Sequence, residues 1–167
     1  MIDNATARFA LPLLQPGQAQ KEMFHNESLA RLDIAVQAVV AEVGRNAPPD
    51  APTLGDCWVV GSAPGGAWAG NAGALAGWTS GGWRFIAPPE GMQAWSLADD
   101  QPIRYEGGAW RIGELCGRVF MVDGQQVVAA RQPPIAEPGD GMVVDEQARS
   151  TITLILNAMR AHGLIAR

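Results

Sequence analysis

The spacing of apolar positions changes twice along this chain, and the changes divide it into blocks. Through residues 18–45 the apolar side chains Leu29, Leu32, Val36, Val39 and Val43 recur at three and four, which places them on one face of a helix. Between residues 53 and 130 the pattern shortens to runs rich in Trp, Val, Ile and Tyr, broken by Gly, Pro and Asp, as expected of strands joined by tight turns. From Asp145 the helical period returns. Ala148, Ile152, Ile155 and Met159 make one stripe, and Leu154, Ala158, Ala161 and Ile165 a second. The expected fold class is α+β, mainly antiparallel β: a small hairpin or meander domain with an N-terminal helix and a C-terminal oligomerisation helix.

Turn chemistry refines the blocks. Residues 1–17 read as an extended arm, because Pro12 and Pro16 remove backbone donors and hold the residues before them out of the helical region. The predicted strands are Asp56–Val60, Ala76–Trp78 paired with Trp83–Ile86, Met92–Ser96, Pro102–Tyr105 paired with Ala109–Ile112, and Arg118–Val122 paired with Gln125–Val128 about Asp123-Gly124. The stretch from Trp68 to Ala76 is too rich in Gly and Ala for a strand and is expected to lie as a loop against the sheet. Gly81-Gly82-Trp83-Arg84-Phe85 is echoed by Gly107-Gly108-Ala109-Trp110-Arg111-Ile112, so one hairpin design occurs twice. Residues 131–144 read as a rigid Pro/Gly linker, and residues 145–167 as the C-terminal helix, with Asp145 as its N-cap. A terminal helix with two apolar stripes has more apolar surface than one contact covers, which predicts a homotrimer with Ala148, Ile152, Ile155, Met159, Leu154 and Ala158 in the interface.

Charge narrows the partners. Acidic residues outnumber basic ones by 17 to 12, for a net charge of −5, so no basic stripe is available to follow phosphates and no nucleic acid is expected. The 47% hydrophobic content suits a folded core. The start carries no secretory pattern and no run approaches a membrane span, so synthesis in the cytoplasm and no membrane insertion are expected, with release by lysis if the protein acts outside a cell. Cys57 and Cys116 lack the spacing of a metal site and read as reduced structural thiols.

Candidate chemistry is sparse. His25 and His162 lie in predicted helices, and no nucleophile elbow, phosphate loop or dinucleotide fingerprint occurs, so neither catalytic residue, cofactor nor metal is expected. Asp99 with Asp100, or Asp56 with Glu90, has the composition of a glycosidase carboxylate pair, but all four sit among turn residues, where carboxylates serve the backbone. Aromatics give a sharper signal. Trp78, Trp83, Trp95, Tyr105 and Trp110 on a rigid sheet would make a glycan-binding surface, since ring faces pack on C–H groups while the N–H or O–H keeps a polar contact. The competing role is core filler in a domain short of Leu and Ile, and Trp58 is assigned to it.

Leu11-Pro12-Leu13-Leu14-Gln15-Pro16-Gly17-Gln18-Ala19-Gln20-Lys21-Glu22, continuing through His25-Asn26-Glu27, resembles the N-terminal signature of an uncharacterised domain family of phage tail-fibre proteins, prophages and gene transfer agents. Gly55-Asp56-Cys57-Trp58, Trp68-Ala69-Gly70, Gly82-Trp83 and Gly91-Met92-Gln93-Ala94-Trp95 are similar to its later blocks, over residues 7–112 in all. The resemblance implies a structural virion protein of a phage-like tail: a fibre, tail-tip component or fibre adaptor. Its partners would be other tail or baseplate proteins, with a host-surface polysaccharide as the alternative. Within the signature, Leu14, Gln15, Pro16, Gly17, Gln18, Gln20, Lys21, His25 and Asn26 are the candidates for docking to the tail, on an extended arm rich in hydrogen-bonding side chains.

Overall fold

A computed structural model describes residues 4–15, 17, 21–128, 130–137, 139, 145–162 and 164–166. The chain divides into two compact units, residues 1–114 and 115–167. The α+β class, mainly β and mainly antiparallel, is what the structure shows.

In the first unit, helix α1 (Lys21–Ala35) precedes two short strands, β1 (Ala38–Val40) and β2 (Val43–Arg45). Six further strands follow: β3 (Cys57–Val60), β4 (Leu75–Thr79), β5 (Gly82–Ile86), β6 (Gln93–Ser96), β7 (Gln101–Glu106) and β8 (Ala109–Ile112). They form two four-stranded sheets, β2-β3-β4-β5 and β1-β6-β7-β8. Each sheet is an antiparallel three-stranded meander with one short parallel strand added at its edge, β2 on β3 and β1 on β6.

The helix expected over 18–45 ends ten residues earlier than its apolar period suggests. Gln37 takes a positive φ of 44°, which turns the chain, and Val39 and Val43 enter strands instead of continuing the stripe. β-branched residues favour that outcome once an edge strand site is available. The inward face of α1 is then Asn26, Ala30, Asp33 and Ile34, and Leu32 is exposed.

Alternation along β3 builds two cores. Cys57 and Val59 face a cluster with Ile34, Val40, Leu75 and Ile103, drawn from α1 and both sheets. Trp58 and Val60 face the opposite way, onto Trp68 and Ala76, with Trp78, Trp83 and Phe85 around them. Every residue of β3 is buried as a result. The loop before β4 turns through a 3-10 segment (Gly66–Trp68) that seats Trp68 with no exposure at all. Its ring meets Trp83 edge to face at 5.1 Å, and Trp58 meets Trp83 similarly at 5.5 Å. At the crossing of α1 and β4 only glycine fits, since a Cβ on Gly77 would stand 2.5 Å from Ile34 Cδ1.

The second unit contains a hairpin, β9 (Phe120–Val122) with β10 (Gln125–Val128), and helix α2 (Glu146–Ala161). Asp145 caps α2 as expected, accepting from the Ala148 N–H at 2.9 Å. The described part of the expected linker is not a free spacer. The Gln132 N–H donates to the Leu164 carbonyl at 3.0 Å, and Arg160 donates to the Ile135 carbonyl at 2.7 Å and pairs with Glu137. This pairing, together with a bond from Thr153 to the same carboxylate, holds Glu137 below the usual carboxylate range. Leu156 and Ile165 are the buried apolar side chains among the described residues of this unit.

Candidate functional site

The arm folds back on α1. The buried carboxylate of Asp33 accepts from Thr6 Oγ1 at 2.7 Å, the Arg8 N–H at 2.9 Å and the Phe9 N–H at 2.8 Å. The Arg8 guanidinium in turn donates to the carbonyls of Asp33, Ile34, Val36 and Gln37, which satisfies the C-terminal end of the helix with a cation where the dipole favours one. Farther along, the Asn26 amide accepts from the Leu14 N–H and donates to the Leu14 carbonyl.

Two of the candidate docking residues, Leu14 and Asn26, are therefore bound to each other within the chain. Gln15 reaches Asn4 Oδ1 at 2.9 Å, and Lys21 and His25 are exposed on α1. Gly17 is exposed with a φ of 134°. Pro16, Gln18 and Gln20 lie outside the described residues. Asparagine is the residue that makes such a clasp, because one amide offers a donor and an acceptor to the same peptide unit.

Arm, helix and the β4–β5 hairpin enclose a cavity of about 660 Å³. Leu13, Phe24, Ile34, Leu54 and Trp78 supply apolar wall, while Thr79, Ser80, Glu27 and Arg84 supply polar groups. Glu27 is held between Arg84 at 2.7 Å and Arg31 at 3.2 Å. A cavity of this volume, mostly apolar with a few polar groups, has the general character of a small-molecule site. Arg8, Asp33 and the Glu27–Arg84 pair escape a sequence reading, since each contact joins residues 24 or more positions apart that meet only when the arm or β5 packs on α1.

The five aromatic candidates do not share one face. Trp78 and Trp83 are cross-strand partners, 4.9 Å apart, on the side of their sheet away from the shared core. Tyr105 and Trp110 pair in the other sheet at 5.5 Å; Trp110 packs on the shared core and donates to the Gly73 carbonyl at 2.9 Å. Trp95 differs from all four. It is 40% exposed, flanked across the strands by Val39 and Pro102, and the neighbouring row on the same sheet is Gln93, Arg104 and Arg111.

The carboxylate pairs serve turns. Asp99 accepts from Ser96 Oγ at 2.6 Å, Asp56 from the Thr53 N–H at 2.9 Å, and Glu90 from the Gly107 N–H at 2.8 Å. Asp100 takes a positive φ of 53°. Among the described residues no group of three His, Cys, Asp or Glu side chains is placed to hold a metal ion. Cys57 is buried, and Cys116 is exposed. No described helix is long and apolar enough to cross a membrane.

On α2, the buried or half-buried side is Arg149, Thr153, Leu156, Met159 and Arg160. Of the predicted interface residues, Met159 is half-buried there, while Ala148, Ile152, Leu154, Ile155 and Ala158 are exposed in the single chain.

The family described as protein of unknown function (DUF2793) matches residues 25–111, just over half of the chain. The chain belongs to that family. The matched stretch runs from within α1 to β8, so the DUF2793 portion of this protein contains both meanders and nearly all of the two cores. The Leu11–Glu22 block and the whole second unit fall outside it. No match was found among curated proteins.

Proposed function

We propose that this protein is a structural subunit of a phage-like tail, serving as a fibre, tail-tip component or fibre adaptor, and that it assembles as a homotrimer. The observation that carries the assembly part is the set of exposed apolar side chains on α2. Leu154 and Ile155 are 67% and 53% exposed on the side of the helix away from Leu156 and Arg160, and Ile152, at the border of the engaged side, is 44% exposed. Apolar side chains left open at helical spacing fit a bundle with copies of the same helix. The resemblance of the arm and the Trp blocks to tail-fibre proteins supplies the setting. Antibody against the chain should label tails of purified particles in electron micrographs, and the chain should be found in those particles by mass spectrometry. Its absence from both would sink the proposal.

Trp95 favours a second reading, a carbohydrate-binding module for a cell-surface polysaccharide. An exposed indole beside the Gln93-Arg104-Arg111 row offers a stacking face with hydrogen-bond donors next to it. On a glycan array the native chain should retain a polysaccharide that Trp95→Ala loses while Trp83→Ala retains it. Silence across the array would remove this reading.

A further inference from the structure

The outer face of the β1-β6-β7-β8 sheet carries an imbalance of charge. Ala94 and Ile103 point into the shared core, so by strand alternation Trp95, Arg104 and Glu106 point away from it, and Arg111 stands directly across from Arg104. Like charges opposed on neighbouring strands repel. Of the outward side chains on these four strands Glu106 alone is acidic, and it pairs with the end of the Arg104 guanidinium. The Nε–H of Arg104 is buried without a partner, and Arg111 is exposed with no hydrogen bond or ion pair to any described residue. Two cations thus face one anion, in a chain whose total charge is −5. That gives the spot the sign that attracts anions. Trp95 lies opposite Pro102 and diagonal to Arg104, at about 7–8 Å on a sheet, with its indole open. An indole face takes the C–H groups of a sugar ring, and a guanidinium fork takes a carboxylate in its own plane.

We propose that this face binds an acidic polysaccharide, with one sugar stacked on Trp95 and the carboxylate of a neighbouring uronic or sialic acid unit held by Arg111 beside Arg104. The inference rests on the carbohydrate-binding reading and narrows it to a carboxylate-bearing ligand. Charge selects the class. A monovalent carboxylate balances the single uncompensated cation and relieves the repulsion between the two opposed guanidinium groups. A polynucleotide also offers rings and charge, but its backbone calls for a track of cations, and these strands present only two outward, one of them already paired. Recognition has further donors to draw on. Arg111 has its whole fork to offer, and Gln93, across from Arg104, has an amide for sugar hydroxyls.

A glycan array that sets each uronic or sialic acid polysaccharide beside its carboxyl-reduced copy tests this, using the full chain as wild type, Arg111→Gln, Arg111→Lys and Trp95→Ala. The wild type should retain at least one acidic polysaccharide and lose it on carboxyl reduction. Arg111→Gln should bind that polysaccharide about tenfold more weakly, the effect of one charge-assisted hydrogen bond, and Trp95→Ala should lose it. Arg111→Lys keeps the charge without the fork and should fall between wild type and Arg111→Gln. Thermal unfolding followed by circular dichroism separates lost binding from lost fold: with a repulsion removed, Arg111→Gln should melt no lower than wild type, and a lower midpoint overturns the inference. Equal retention of native and carboxyl-reduced polysaccharides, or wild-type binding by Arg111→Gln, overturns the acidic ligand and leaves the carbohydrate reading standing. Silence across the array overturns both. Displacement of the bound polysaccharide by single-stranded poly(dT) overturns the inference in favour of nucleic acid.

Discussion

Asn26 holds both backbone groups of Leu14, accepting from its N–H at 2.9 Å and donating to its carbonyl at 3.0 Å. A mid-helix asparagine thus fixes where the arm crosses α1. The arm that docks to a tail protein, in the proposed role, would be presented in a set position and not as a loose tether.

Asn26→Ala should release that crossing. Two hydrogen bonds to a half-buried peptide unit are lost, a cost of about 1–2 kcal/mol. Limited proteolysis should then cut the arm between residues 9 and 15 well before the sheets, and a wild-type cleavage pattern would contradict the clasp.

Asp33→Ala removes three bonds at once, those from Thr6 Oγ1 and from the Arg8 and Phe9 N–H groups. Loss of a buried carboxylate with donors left unpaired should destabilise the first unit by about 3 kcal/mol, measured by urea unfolding followed through tryptophan emission. Arg8→Ala should cost less, because water can reach two of the carbonyls it serves.

Gly77→Ala should cost about 1–3 kcal/mol, because the added methyl overlaps the Ile34 side chain. Ile34→Ala alone should also destabilise, by opening a cavity in the shared core. Combined, the two changes should cost clearly less than their sum, and strict additivity in the double-mutant cycle would argue against the contact.

Burial pushes the Cys57 thiol up to about 11, against a smaller opposing pull from Arg8. Below pH 9 the thiol is protonated in native and unfolded chains alike, and this contribution to stability is complete. Between pH 9 and 11 the unfolded thiol ionises while the native one does not, so stability should fall over that window. Cys57→Ala should flatten that slope. In the native protein at neutral pH a thiol reagent should titrate Cys116 quickly and Cys57 only on unfolding.

Hairpins were the legible part of this fold. Asp123-Gly124, the two Gly-Gly turns and the strands beside them follow from short-range turn chemistry, and each pair forms where the sequence places it. The Asp145 cap is equally local. What the sequence hides is long-range. Val39 and Val43 continue a helical period, and only the presence of β6 and β3 as partners turns them into strands. The aromatic set shows the same limit: composition marks the rings, but whether an indole is core or surface depends on which face its strand presents. Trp83 and Trp95 look alike in sequence, yet one is packed among three other indoles and the other stands open.

Residues 38–45 lend one edge strand to each sheet, and this bears on the order in which the first unit folds. The meanders close through neighbouring contacts and can form early, whereas Ala38 must find Ala94 across most of the domain. That short segment is thus the step that commits both sheets together. A change at Val40 should slow folding of the whole unit, while a change in either Gly-Gly turn should be felt mainly in its own hairpin.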